Sequence, residues 1–376
     1  MSARKLRSLA THFASLEDPR QERTRKHNLL DIIAITICAV ICGADSWVAV
    51  ERYGLAKYDW LARFLKLPSG IPSHDTFGRV FAALLPEQFR ACFASWVAEV
   101  AACVGLKHIA IDGKTQRGSH DRGKGKAALH LISAWAVENH LILGQEAVDQ
   151  KSNEITAIPK LLELLDLGGA LVTIDAMGCQ KEIAEQIVEQ DGDYVLAVKE
   201  NQPTLYTEIE RLDAAALAEE YAGASCCCTE EQSHGRHELR ACWVLTDLEE
   251  LGERAKWPGL QSVIVVVRDR TAGEQNSCEK HYYISSRELS AKRFLEVVRG
   301  HWGIENSLHW VLDVVFDEDG SRVRKDHGPE NLGLLRRMAL SMLKAEQSKG
   351  SIQVKRLMAG WNNDFLEKVL ADFPGN

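Results

Sequence analysis

At His108-Ile-Ala-Ile-Asp-Gly-Lys114 the hydrophobic pattern of the chain changes from a helical period to that of a short buried strand. This strand is predicted to end at Asp112. A second apolar run, Leu171-Val-Thr-Ile-Asp-Ala-Met-Gly178, repeats the arrangement and ends at Asp175. If the two strands are neighbours in one sheet, both carboxylates face the same edge, where open α/β sheets usually bind their ligands. Taken singly, an aspartate at a strand end is more often a turn or helix-cap residue.

A third acidic residue, Glu305, lies in an amphipathic helix that is predicted to run from Ser290 towards Phe316. Carboxylates from two strand ends and one packing helix are what a divalent-metal phosphoryl-transfer site needs. Hard cations such as Mg²⁺ take oxygen ligands, and a metal pair can stabilise both the attacking and the leaving oxygen. Asp112, Asp175 and Glu305 are therefore the candidate catalytic and metal-binding residues.

Composition is that of an ordinary globular protein of two or three domains, with 376 residues, 45% hydrophobic and 26% charged. The first residues lack the apolar core of a signal peptide, and the longest apolar stretch, 32–42, is too short to span a bilayer. Ten cysteines without a secretory signal favour a reducing compartment. The sequence predicts a cytoplasmic protein with no membrane partner.

The net charge of −8 does not favour a nucleic-acid partner, but the positive charges are clustered. Residues 1–27 hold seven Lys or Arg against three acids, 114–126 hold five against one, and 321–326 hold three against one. Each cluster alone is most simply a solvated surface. Because two of them flank candidate catalytic acids, contact with phosphate gains weight as an interpretation.

The order of predicted elements divides the chain into three parts. Residues 1–105 have helical periodicity throughout and form a helical N-terminal domain for DNA binding or assembly. Residues 106–347 alternate strands and helices, which predicts an α/β catalytic domain built on a mixed sheet, with a β-rich insertion at about 220–288. Residues 348–376 form a helical C-terminal tail.

The chain resembles a known family. Its layout is similar to the ribonuclease-H-like fold of DDE transposases and integrases, and more narrowly to the H-repeat-associated insertion-sequence transposases. The segments that carry the resemblance are Phe13-Ala-Ser-Leu-Glu-Asp-Pro-Arg20, His27-Asn-Leu-Leu-Asp-Ile-Ile33, Ile111-Asp-Gly-Lys-Thr-Gln-Arg-Gly118, Asp175-Ala-Met-Gly-Cys-Gln180, Val198-Lys-Glu-Asn-Gln202 and His301-Trp-Gly-Ile-Glu-Asn-Ser-Leu-His-Trp310. They extend over nearly the whole chain, from about residue 10 to 345.

The resemblance implies that Asp112, Asp175 and Glu305 bind two Mg²⁺ or Mn²⁺ ions. It implies cleavage of a phosphodiester at a transposon end, followed by attack of the freed 3′-hydroxyl on target DNA. Double-stranded DNA is the expected partner, both as the terminal repeats of the element and as target. A homodimer is expected in the end complex, because two ends must be joined together.

Five residues are predicted to contact DNA, namely Lys114, Arg117, Lys199, Arg299 and His301, with plain surface positions as the alternative. Related insertion-sequence transposases carry Tyr, Arg and Lys at fixed distances from the Glu, whereas this chain has Val298, His301 and Leu312. Arg299 could replace the lost charge, and His301 could still bond a phosphate. Asn201 and Gln202 could contact DNA or cap a helix, and Trp302 is expected to pack its helix onto the sheet.

Two alternative metal sites can be drawn from the sequence. His301, Glu305 and His309 fall on one helical face and could bind Zn²⁺. Cys226, Cys228, His234 and His237 could form a zinc cluster, although their spacing matches no finger pattern.

Three alternative functions also remain at this stage. One is a metal-dependent nuclease that cuts without joining. Another is a decayed transposase that binds DNA without catalysis. The third, a helical scaffold, would require the three acids to lie far apart.

Overall fold

The computed structural model describes residues 11–121, 123, 125–148, 153–233, 236–273 and 275–372. They form two compact units that alternate along the chain: the first comprises 1–105, 113–153 and 305–376, and the second 106–112 and 154–304. The linear domain boundaries expected from the sequence remain a prediction. Among the described residues, no helix is both long and apolar enough to cross a membrane.

The first unit is mostly helical. Its helices are α1 (Leu29–Ile41), α2 (Trp47–Ala56), α3 (Tyr58–Leu61), α4 (His74–Ala83), α5 (Pro86–Val104), α10 (Trp310–Val314), α11 (Gly328–Ala345), α12 (Ile352–Trp361) and α13 (Asn363–Asp372). Asn28 caps α1 by accepting a hydrogen bond from the Leu30 N–H. Pro86 occupies the first position of α5, and Gly105, which has a positive φ of 68°, follows its last residue. These two residues define the ends of the helix.

Helix α11 lies at the centre of this unit. It is buried on nearly every side and packs against α1, α4 and α5 of the N-terminal region. It also covers β3 (Leu141–Val148), which pairs antiparallel with β2 (Leu129–Ala136). The helical N-terminal region and the C-terminal helices therefore share one hydrophobic core.

The second unit holds most of the sheet. Its strands are β4 (Leu171–Ile174), β5 (Asp193–Val198), β6 (Ser225–Ser233), β7 (Arg236–Leu245), β8 (Ser262–Ala272) and β9 (Gln275–Ser285), together with the first half of β1 (His108–Gln116). Its helices are α6 (Glu154–Leu162), α7 (Lys181–Glu189), α8 (Pro203–Ala218) and α9 (Ala291–Ile304). β1, β4 and β5 run parallel to one another. β5 pairs antiparallel with β9, and the pairs β9–β8, β8–β7 and β7–β6 are antiparallel as well.

The full sheet has nine strands in the order β3-β2-β1-β4-β5-β9-β8-β7-β6. The predicted class is confirmed: a ribonuclease-H-like α/β core with a β-rich insertion, preceded by a helical region. The insertion continues the sheet through β9 rather than standing apart.

Two sequence predictions about the strands need correction. The loop expected directly after Asp112 begins later, because β1 continues to Gln116. The strand β6, which contains Cys226, Cys227 and Cys228, was not predicted.

Candidate active site

Asp112 and Asp175 lie side by side at the edge of the sheet. The register of the parallel pair β1 and β4 places Ile111 opposite Ile174, so that each aspartate is the next residue on its strand. Neighbouring strands are about 4.8 Å apart, which brings the two backbones close together at this point. Both side chains are half-buried. The two strands that precede Asp112 and Asp175 are therefore neighbours, which is the condition under which both carboxylates face one edge.

The turn after β4 fixes the carboxylate of Asp175. Its Oδ1 accepts hydrogen bonds from the Met177 N–H at 3.0 Å and from the Gly178 N–H at 3.4 Å. Burial raises the pKa of Asp175, and the negative charge of Glu154 adds to this, while the two N–H groups and Lys199 oppose it. A carboxylate whose pKa is raised in this way gains stabilisation from a nearby cation.

Three residues keep this turn in place. Gly178 is required because a Cβ atom there would lie 2.3 Å from Cγ2 of Ile174. The Asn201 side-chain amide donates to the carbonyl of Ala176, and that of Gln202 donates to the carbonyl of Cys179 at 2.8 Å. Gln202 makes no side-chain cap on α8. The two amides therefore hold the Asp175 turn, a role that the sequence left open.

Glu305 and His309 occupy a short π-helical segment, Glu305–His309, between α9 and α10. Such segments are rare and often occur at functional sites. Glu305 is exposed, whereas His309 is buried. The carboxylates of Asp112 and Glu305 and the imidazole of His309 each offer one ligand atom, and these atoms all lie within 4.8 Å of one another.

The chemistry of these donors fits a divalent cation. Burial lowers the pKa of His309 to about 3, helped by the positive charges of Arg337 and Lys114, so its ring is neutral at pH 7. A neutral imidazole and ionised carboxylates are the protonation states that coordinate metals. Carboxylates suit Mg²⁺ and Mn²⁺, and imidazole suits several transition metals. Asp175 does not belong to this group of three among the described residues, although it lies beside Asp112.

His301 faces the interior of the second unit. Its Nδ1 lies 3.0 Å from the hydroxyl of Thr173 on β4, and the same hydroxyl lies 2.9 Å from Nε2 of His108 on β1. Burial lowers the pKa of His301 to about 4, which makes it neutral at pH 7. The two histidines and the threonine thus tie α9 to both strands. Within the described residues, the possible ligands grouped with Glu305 are Asp112 and His309 and do not include His301, which counts against the alternative zinc site along this helix.

Lys114 is buried among acids. Its ammonium lies 2.6 Å from Asp313, 3.2 Å from Asp319 and 3.5 Å from Glu318. Glu318 in turn makes a fully buried ion pair with Arg337 at 3.0 Å. The lysine therefore neutralises an internal acidic cluster, a role that differs from the predicted contact with DNA backbone.

Of the other predicted DNA contacts, Arg117, Lys199 and Arg299 are exposed, whereas His301 faces the interior. Arg117 is 85% exposed and has one long ion pair, to Asp319 at 3.6 Å. Lys199 is exposed and acts electrostatically on Asp175. Arg299 forms a bidentate ion pair with Glu231 of β6, in which each of its two terminal nitrogens donates to one carboxylate oxygen. Contact of these residues with DNA remains a prediction.

Lys114 and Arg117 can be separated by experiment. Lys114→Met should lower the free energy of unfolding by about 3 kcal/mol, because it removes a buried cation from the fully buried Glu318 and the partly buried Asp313 and Asp319. Arg117→Ala should leave stability unchanged and weaken DNA binding, with a smaller salt dependence. Urea unfolding and binding isotherms at several salt concentrations measure both. If Lys114→Met left stability unchanged but reduced the salt dependence of DNA binding, Lys114 would instead be a DNA contact.

Two further sequence expectations concern Trp302 and the cysteine-rich segment. Trp302 is 54% exposed, and its side chain makes a hydrogen bond with that of Tyr283 on β9. Within the described residues, Cys226, Cys228 and His237 form no group that could hold a metal, and the ring of His237 lies 2.6 Å from Glu230 instead. His234 lies outside the described residues, as do Arg4, Lys5, Arg7, Arg122 and Lys124 of the basic clusters.

Comparison with known proteins agrees with this layout. Residues 105–342 match the model of the transposase DDE domain, and residues 10–97 match the model of the region associated with it. YncI of Escherichia coli O157:H7, which carries the name of a transposase, is 42% identical over 97% of this chain and 95% of its own. YhhI of Escherichia coli K12, named as H repeat-associated, is 39% identical over 97% of this chain and 98% of its own.

A solved structure of the piggyBac transposase synaptic complex with hairpin DNA is also similar over 98% of this chain and 81% of that one. The sequence identity is 10% and the TM-score is 0.37.

Proposed function

We propose, from the premise that this chain belongs to the transposase DDE domain family, that it cuts DNA at the ends of its own mobile element and joins the freed 3′-hydroxyls to target DNA. Asp112, Asp175 and Glu305 are the catalytic residues of this proposal. The observation that carries it is the grouping of acids: Asp112 and Asp175 follow paired positions of two parallel strands, and Asp112 and Glu305 offer ligand atoms within 4.8 Å.

Two Mg²⁺ or Mn²⁺ ions are proposed as cofactors, held by the three acids. Bound there, they would supply a water of lowered pKa and neutralise the charge that develops on the phosphate. His309 is proposed as a further ligand, because its neutral ring belongs to the same group of donors. A bound cation would stabilise the carboxylate of Asp175, whose pKa is raised by burial.

The rest of the site positions these groups. The Asn201 and Gln202 amides fix the turn that aims Asp175, and the bridge from His108 through Thr173 to His301 fixes the helix that ends beside Glu305. Such prior positioning matters because phosphoryl transfer on metal ions needs little covalent chemistry from the protein. Lys199, exposed next to Asp175, is proposed to hold the DNA backbone, with Arg117 and Arg299 as further contacts.

The proposed partner is double-stranded DNA, bound by a homodimer that brings two element ends together. The proposed compartment is the cytoplasm. The proposed dimer follows from the need to join two ends, and the proposed compartment follows from the family. Each requires its own measurement.

The test is cleavage of DNA that carries the ends of the element, with Mg²⁺, with Mn²⁺ and with EDTA. The proposal expects nicks at the ends with either metal, joined products when target DNA is added, and neither with EDTA. Nicks without joined products would identify a nuclease instead. End-specific binding without cleavage under any metal would identify a transposase that has lost catalysis.

A further inference from the structure

The N-terminal region contains a cavity of about 530 Å³ that none of the candidate catalytic residues lines. Phe13, Leu16 and Leu29 form an apolar floor and are almost fully buried. Three basic side chains, Arg25, Lys26 and Lys66, are exposed at its rim. An apolar floor with a cationic rim suits a ligand that has both a flat organic part and a negative charge.

The charges of the lining do not cancel. Asp18 is the one acid among the described lining residues, and it pairs with Arg20 outside the lining at 2.7 Å and with Arg25 of the rim at 3.6 Å. Although burial alone would raise the pKa of Asp18, hydrogen bonds from Arg20 hold it below its usual value, so the pair is fully ionised at pH 7. Lys26 and Lys66 have no carboxylate within ion-pair distance in the described part of the chain. The rim therefore keeps an excess of positive charge.

One polar atom of the lining lacks a partner. Nδ1 of His27 is buried without a hydrogen bond, while the ring interacts with the backbone of Gly70. Burial lowers the pKa of His27, so the ring is neutral at pH 7. This nitrogen has almost no solvent-accessible surface, so the exposed cations and the apolar side chains of the lining, rather than Nδ1 of His27, are the groups open to a ligand.

We infer that this cavity binds one nucleotide unit of a DNA strand, with its phosphate at Arg25, Lys26 and Lys66 and its base or sugar against Phe13 and Leu16. The volume lies within the usual range for small-ligand sites. The choice of DNA as the source of the nucleotide rests on the proposed function, whereas the binding of a phosphate-bearing ligand does not.

The first experiment removes charge. Binding of a fluorescent single-stranded thymidine pentanucleotide is measured in EDTA at several salt concentrations. The double variant Lys26→Ala/Lys66→Ala should bind at least tenfold more weakly at low salt. The slope of log K against log salt should fall in magnitude by about 0.7, because the cavity holds one phosphate and each phosphate neutralised in single-stranded DNA contributes about 0.7. The matched control Arg52→Ala/Lys349→Ala removes two exposed cations that do not line the cavity and should leave the slope unchanged. Equal slopes in the two double variants would overturn the inference.

The second experiment fills the cavity without changing charge. Ala14 is an exposed lining residue, so Ala14→Trp should fold normally and abolish the rise in Tm that the pentanucleotide produces. Ala56→Trp, at an exposed position on α2 away from the lining, is the control and should keep that rise. If inorganic phosphate raises Tm as much as the oligonucleotide does, the site takes free phosphate and the assignment to DNA fails.

These measurements need no catalysis, so the two proposals can fail separately. Cavity-dependent binding by a protein that never cuts DNA would sustain this inference and remove the proposed function. Normal cleavage by the Ala14→Trp protein, with oligonucleotide binding unchanged, would sustain the proposed function and remove this inference.

Discussion

Glu305→Gln should abolish end cleavage, lowering the rate by at least about a thousandfold, while leaving folding and DNA binding intact. The substitution keeps the size of the side chain and removes its negative charge, on which a hard cation depends. Because Glu305 is exposed, the protein loses no buried contact at this side chain. A loss of this size corresponds to about 4 kcal/mol of transition-state stabilisation. Single-turnover cleavage of labelled element ends with Mn²⁺ measures it.

The matched control is Glu296→Gln on the preceding helix α9. Glu296 is also exposed, and its ion pair, to Arg293 at 3.0 Å, lies on the surface. That variant should cut at the wild-type rate, since an exposed pair contributes little. Equal rates for wild type and Glu305→Gln would remove Glu305 from the catalytic set. His309→Gln adds a further comparison: a ligand role predicts weaker Mn²⁺ activation, whereas a packing role predicts lower stability at unchanged metal dependence.

The sequence predicts the sheet edge well because its signal is local. Each of the first two acids ends a short apolar run, and the structure places those runs next to each other in parallel. The helix that carries Glu305 is likewise visible from its hydrophobic period. The same helix shows the limit: α-helical and π-helical segments share nearly the same pattern of apolar residues, so the change at Glu305 cannot be seen in advance.

What the sequence does not reveal depends on distant partners. Lys114 and Gln116 resemble loop residues because they are polar, yet both are buried on β1. They are compensated by Glu318, which lies about two hundred residues later in the chain. The missed strand β6 has a related cause, since it is the edge strand of the sheet and carries mixed polar residues. Edge strands of this kind lack the continuous apolar signal of buried ones.

The ion pair between Glu318 and Arg337 should show the largest effect on stability. Both side chains are fully buried, and their ends are 3.0 Å apart. Glu318 also accepts a hydrogen bond from Gln116 at 3.0 Å, and Arg337 donates to Ser133 at 3.2 Å. Although burial alone would raise the pKa of Glu318, the charges of Arg337, Arg336 and Lys114 lower it. The carboxylate is therefore ionised, and removing its main partner leaves a buried charge.

Glu318→Leu and Arg337→Leu should each lower the free energy of unfolding by about 3–5 kcal/mol, because each leaves one buried charge uncompensated. The double variant should lose clearly less than the sum, since neither charge remains to be solvated and the two leucines fill apolar space. Urea unfolding of the four proteins gives the coupling energy. Additive losses would mean that the two charges act independently. Strong coupling would instead make this pair a main link between the central helix α11 and the segment around Glu318, which also contacts Gln116 of β1.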